Sequence, residues 1–140
     1  MVNFVLIGHG DTIVIADGNF PAKSTANANS ALFIPAYGLG AAEILNAILT
    51  LLPLDKYDPK SAFQVMQVVP NDTNSVNHPE IWDVFSKVVS DHEGDWLKME
   101  EVERFEFYER AKKAFAVVAT SEAAIYANVI LKKGVIQPGK

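Results

Sequence analysis

Three stretches of this 140-residue sequence carry side chains whose type and spacing could do acid–base or polar-binding chemistry. The first is Gly8-His9-Gly10-Asp11. Glycines on both sides keep the neighbourhood of His9 uncrowded and let the backbone turn, and an imidazole exchanges a proton near neutral pH. A turn histidine that merely caps a backbone group would look the same, and the residues alone leave both readings open. The second is Asp17, directly after the run Thr12-Ile13-Val14-Ile15-Ala16. A carboxylate at a strand end can accept from two neighbouring hydroxyls at once, or it can serve only as the acceptor of an Asx turn ahead of Gly18. The third is Tyr126 and Asn128, a phenol and an amide two residues apart at the start of a strand, where alternation sends both to one face. The phenol can shuttle a proton only if a neighbour lowers its pKa; otherwise it hydrogen-bonds, or packs on the core. Arg104, just ahead of Phe105, Phe107 and Tyr108, could donate to hydroxyls or lie exposed at a helix start. Trp82 and Trp96 could stack on a ring-shaped ligand, but core or edge packing is the commoner fate of such residues.

Other chemistries are missing from the sequence. There is no cysteine, hence no disulfide, thiolate metal site or cysteine nucleophile. Neither a Gly-x-Ser-x-Gly elbow nor a phosphate-cradling loop occurs. The Gly-His-Gly turn precedes a strand, where a dinucleotide fingerprint would open a helix. His9, His78 and His92 show no metal-ligand spacing, which leaves His9, Asp11 and Asp17 as a remote alternative. A net charge of −5 with no basic run argues against nucleic acid. No stretch suits a leader or a membrane span, so the expectation is a cytoplasmic protein without metal or cofactor.

The elements that must position these residues read as one α/β domain over residues 1–140, a central sheet flanked by helices in layers. Apolar Phe4–Ile7 leads into the His9 turn. Strands are expected at Thr12–Ala16, Ala62–Val69, Phe115–Ala119 and Asn128–Leu131, and helices at Glu43–Leu52, Pro79–Asp91 and Phe105–Lys113. In the second helix Ile81, Val84, Phe85, Val88 and Val89 form an apolar stripe. In the third, Glu106–Arg110 and Glu109–Lys113 are spaced for pairing. Residues 22–36 read as loop with a short extended piece, and the tail from Gln137 as frayed.

Several of these motifs resemble a known family. Gly8-His9-Gly10-Asp11, Ile15-Ala16-Asp17 and Asn19-Phe20-Pro21-Ala22 are similar to the opening of the L-fucose mutarotase and D-ribose pyranase family. The block from Glu103 to Thr120, with Arg104-Phe105-Glu106-Phe107-Tyr108-Glu109-Arg110 at its head, resembles the fucose branch, as does Asn128 to Val135. The resemblance implies ring-shaped homo-oligomers that act on a monosaccharide without metal or cofactor. By motif, His9 matches the family's proton donor, and Asp17, Arg104, Tyr126 and Asn128 match its sugar-binding positions. Tyr37 stands where an aspartate is usual, and Ser121 and Ala127 stand where glycines are. The family has a helix ahead of the His9 turn. Only seven residues precede Gly8 here, so either a segment is lacking or the approach to the turn differs.

The implied reaction is interconversion of the α and β anomers of L-fucose by ring opening and closing. One group protonates the ring oxygen while another takes the anomeric hydroxyl proton; His9 is expected to be one, and Tyr126 or a water the other. The alternatives are pyranose–furanose interconversion of D-ribose and a non-catalytic sugar-binding ring. If residues 10–17 are extended, His9 and Asp17 lie roughly 20 Å apart at about 3.3 Å per residue. The expectation is therefore a site shared between subunits, His9 meeting the Asp17, Tyr126 and Asn128 of a neighbour.

Overall fold

A computed structural model describes residues 7–72 and 76–137. Its six strands are β1 (Thr12–Ala16), β2 (Leu32–Ala36), β3 (Phe63–Met66), β4 (Glu100–Val102), β5 (Ala116–Thr120) and β6 (Val129–Lys132). They form one sheet in the order β2-β5-β1-β6-β3-β4. β1 is parallel to β5 and β5 to β2, β3 is parallel to β4, and β6 runs antiparallel to both β1 and β3. Five strands thus end at one edge of the sheet, and β6 begins there.

Helices cover both faces. On one, α2 (Ala41–Leu51) and α3 (Glu80–Glu93) bring Leu45, Ile48, Trp82, Phe85 and Val89 against Ile13, Ile15, Phe63, Val65, Val129 and Leu131. On the other, α1 (Ala22–Ala28) and α4 (Arg104–Lys112) bring Ala22, Ala26, Phe107 and Ala111 against Val14, Ala16, Val117, Ala119 and Ile130. With apolar partners above and below, both odd and even positions of β1 and β5 must be apolar. That is why these strands read as unbroken hydrophobic runs.

The expected strands and helices at these places are all present, β1 at the expected bounds and the others with ends shifted by one to three residues. In residues 22–36 the short extended piece is β2, and the expected loop before it is corrected to the helix α1. α1 has only seven residues, and its composition is small and polar, yet Ala22, Thr25 and Ala26 make a buried face. β2 is an edge strand, which tolerates Pro35. β4, acidic and also at an edge, was not anticipated. The buried stripe of α3 runs through Trp82, Phe85 and Val89, and Val84 is exposed. Arg110 pairs with Glu106 at 2.8 Å as spaced, but Glu109 pairs with Lys112 at 2.9 Å, one residue short of Lys113. Phe4 to Leu6 and the last three residues of the tail lie outside the described residues.

The end of β6 is pinned to the segment after α2. Leu54 bridges Lys133, the Asp55 N–H donates to the Lys132 carbonyl, and the Gly134 N–H donates to the Pro53 carbonyl at 2.9 Å. A Cβ on Gly134 would stand 2.3 Å from the Leu54 oxygen and 3.1 Å from the Asp55 Cα. Those neighbours are backbone and cannot swing away. Gly134→Ala is therefore expected to cost roughly 1–3 kcal/mol, as forced overpacking does, read as a lowered midpoint of urea unfolding.

Candidate active site

At the edge where β1, β3 and β4 end and β6 begins lies a cavity of about 270 Å³. Asp17 reaches it from the end of β1, Met66, Val69 and Asp72 from the end of β3, and Arg104 and Tyr108 from the first turns of α4. Ile125, Tyr126 and Asn128 complete it from the segment before β6. Drug-sized ligands occupy clefts of about 300–1,000 Å³, so this one suits something smaller. The carboxyl edge of an open α/β sheet is where such clefts form. Asp17, Arg104, Tyr126 and Asn128, drawn from three separate parts of the sequence, converge here.

Asp17 and Asn128 lock together. The Asp17 N–H donates to Asn128 Oδ1 at 2.8 Å, and Asn128 Nδ2 donates to Asp17 Oδ2 at 3.2 Å. The carboxylate also accepts from the backbone N–H groups of Asn19 (3.0 Å), Phe20 (2.9 Å) and Ala127 (3.3 Å). The Asx-turn reading of Asp17 therefore holds, alongside its place in the cavity wall. Burial pushes its pKa above the ordinary value and outweighs these donors, which favour the charged form.

Tyr126 reaches the cavity by a route that strand alternation did not foresee. It precedes β6 and has a left-handed backbone, φ 58°. That conformation is costly for a bulky residue, and it is held from several sides. The Tyr126 carbonyl accepts from Trp82 Nε1 at 2.9 Å, and Tyr126 Oη donates to Asp72 Oδ2 at 2.7 Å and accepts from the Val69 N–H at 3.3 Å. Burial, and then Asp72, push the phenol's pKa upward. The lowered value that an independent phenolate base needs is not provided here. Trp82 is fully buried, and its ring serves the core.

Arg104 is the first residue of α4. Glu103 caps that helix by accepting from the N–H groups of Phe105 and Glu106 at 2.8 and 3.1 Å, which fixes where Arg104 and Tyr108 start. The Arg104 guanidinium lies 4.6 Å from the centre of the Phe105 ring. Tyr37, where the family pattern has aspartate, lines a neighbouring cavity that shares Asp17 and Phe20 with this one. Ser121 accepts from the Gly38 N–H at 2.7 Å, so its hydroxyl ties down that loop. Ala127 is buried in the core and has no left-handed backbone that would demand glycine.

His9 is elsewhere. It lies beyond the start of β1 and Asp17 beyond its end, and the five-residue strand between them spans about 16 Å at about 3.3 Å per residue. The turn is fixed by Gly8 N–H to Asp11 Oδ2 (2.8 Å), Gly10 N–H to the Lys133 carbonyl (2.9 Å) and Lys133 N–H to the Asp11 carbonyl (2.9 Å). Gly10 takes a left-handed φ of 87° in it. The imidazole is half-exposed, with Nε2 3.0 Å from Oδ1 of buried Asp55 and its ring 5.5 Å from that of Tyr57. A carboxylate only accepts, so Nε2 is the donor in this pair. Asp55 is itself held by the Tyr57 N–H at 3.0 Å. His9, Asp11 and Asp17 are not assembled as metal ligands, and no group of three such side chains is placed to hold a metal among the described residues.

Asp55, Asp72 and Tyr108 went unnoticed in the sequence. The contacts His9–Asp55 and Tyr126–Asp72 join residues 46 and 54 apart, and no local pattern announces them. Tyr108 was visible only as part of an aromatic block.

Known proteins with this architecture are close in sequence. Fucose mutarotase of Danio rerio is 50% identical over 132 residues, covering 94% of this chain and 84% of its own. The crystal structure of FucU from Bifidobacterium longum superposes with a TM-score of 0.83 at 45% identity, over 94% of this chain and 88% of that one. Fucose mutarotase of Streptococcus pneumoniae, crystallised in complex with L-fucose, gives 0.83 at 43% identity, over 95% and 89%. The family profile described as RbsD / FucU transport protein matches residues 4–136. The chain belongs to the RbsD / FucU family.

Proposed function

We propose that this protein is a sugar mutarotase that interconverts the anomers of L-fucose; relatives at 48–50% identity are named fucose mutarotase. The observation that carries the reading is the convergence of Asp17, Arg104, Tyr126 and Asn128 on one small polar cavity. A monosaccharide bound there presents hydroxyls to the guanidinium, the two phenols and the amide, and to the carboxylate edge of Asp17. Ring opening needs a proton delivered to the ring oxygen and one removed from the anomeric hydroxyl. Each positioned transfer supplies typically about 10²–10⁴-fold in rate.

His9 supplies the first proton from a second subunit. Within one chain β1 separates it from the cavity, while Asp55 and Tyr57 hold it half-exposed at the opposite edge of the sheet. A homo-oligomer, by the family resemblance a ring, that sets this edge against a neighbour's cavity completes the site. Exposed Tyr57, Phe105 and Ile136 give such an assembly apolar surface to bury.

NMR magnetisation exchange between the anomers of L-fucose tests the proposal. The protein is expected to accelerate exchange for L-fucose, and more weakly for D-ribose. Acceleration for ribose alone would make it a pyranase, and binding without acceleration of either sugar would make it a sugar-binding protein only.

A further inference from the structure

We infer that Asp72 is the terminal proton acceptor of the ring-opening step and works through Tyr126. This rests on the mutarotase reading above and deepens it. The phenol oxygen donates its only proton to Asp72 Oδ2 at 2.7 Å and accepts from the Val69 N–H at 3.3 Å, while the side chain lines the sugar cavity. A hydroxyl oxygen has two lone pairs, so one remains for an incoming O–H. The sugar's anomeric hydroxyl donates there.

The step then balances without a free phenolate. The anomeric O–H bond breaks and its proton passes to Tyr126 Oη. The phenol's own proton passes to Asp72, and the anomeric electron pair forms the carbonyl as the C1–ring-oxygen bond breaks. The ring oxygen takes a proton from protonated His9. Rotation about C1–C2 and reversal of each transfer close the ring on the other face and restore every group. The raised pKa of Tyr126 suits a relay, since a phenol that keeps its proton at neutral pH can pass one on only as it receives another. Asp72 reaches the reacting atoms through Tyr126 and is in that sense a positioning residue. Among the described residues, the other charged and titratable groups that line the cavity with the pair are Asp17 from the end of β1, and Arg104 and Tyr108 from α4.

The test is exchange spectroscopy on L-fucose with wild type, Asp72→Asn, Asp72→Glu, Tyr126→Phe and the Asp72→Asn/Tyr126→Phe double variant. Asn keeps an oxygen to accept the phenol's hydrogen bond but cannot take its proton. Asp72→Asn is expected to lower kcat about 10²-fold with KM changed less than twofold, since a proton transfer is lost and binding is not. Asp72→Glu should recover part of the rate. The double variant should be no slower than the slower single one. An Asp72→Asn enzyme with wild-type kcat overturns the relay. So does a rise in KM alone, which would leave Asp72 only holding Tyr126 in place. An inactive wild type would instead overturn the mutarotase reading itself.

Discussion

Replacing His9 by alanine is expected to lower the catalysed exchange of L-fucose anomers by about 10²–10⁴-fold, the range of one positioned proton transfer. The fold should survive. The imidazole is half-exposed, and the turn around it is held by backbone bonds from Gly8, Gly10 and Lys133 that the substitution leaves in place. Asp55 loses one partner but keeps the Tyr57 N–H. Unfolding curves for wild type and His9→Ala should therefore nearly coincide while the exchange rates differ. Equal rates would remove His9 from the chemistry and leave the turn histidine as a structural feature.

Asn128→Ala should act in the opposite way, on stability first. Asn128 is buried, and both ends of its amide bond Asp17, one accepting the backbone N–H and one donating to the carboxylate, with a second Nδ2 hydrogen left for a ligand. Truncation leaves a buried N–H without its acceptor and strips a donor from a carboxylate that burial already disfavours. At about 1–3 kcal/mol for each buried group left unpaired, the loss should come to about 2–4 kcal/mol. Urea unfolding reads it directly, and L-fucose affinity should fall as well because the amide leaves the cavity wall. A midpoint unchanged from wild type would mean that water replaces the amide without penalty and that the Asp17–Asn128 pair does not hold the site together.

How far such features could be read in advance followed physical lines. β1 and β5 were legible because helices cover both sheet faces and force every position to be apolar. β2 was visible only as a short extended piece and β4 not at all, because edge strands tolerate Pro35 and the acidic pair Glu100-Glu101. α1 was hidden by its length and by small polar residues whose buried face is only Ala22, Thr25 and Ala26. In the site, the four residues suggested by motif share one cavity, but Tyr126 arrives there through a left-handed backbone and not through strand alternation. Asp55 and Asp72 were illegible because each matters only through a partner that the fold, and not the chain, brings near.

The extended β1 between His9 and Asp17 underlies the proposal that a sugar held by one subunit receives its proton from another. Mixed oligomers test this most directly. His9→Ala and Tyr126→Phe subunits, each nearly inactive alone, would be co-expressed with different tags and the mixed assemblies isolated. With a shared site, random mixing leaves roughly a quarter of the sites with His9 from one subunit and Tyr126 from its neighbour, and exchange on L-fucose should return to about that fraction of wild type. Activity that stays at the average of the two parent variants would place His9 and Tyr126 in separate roles and contradict the shared site.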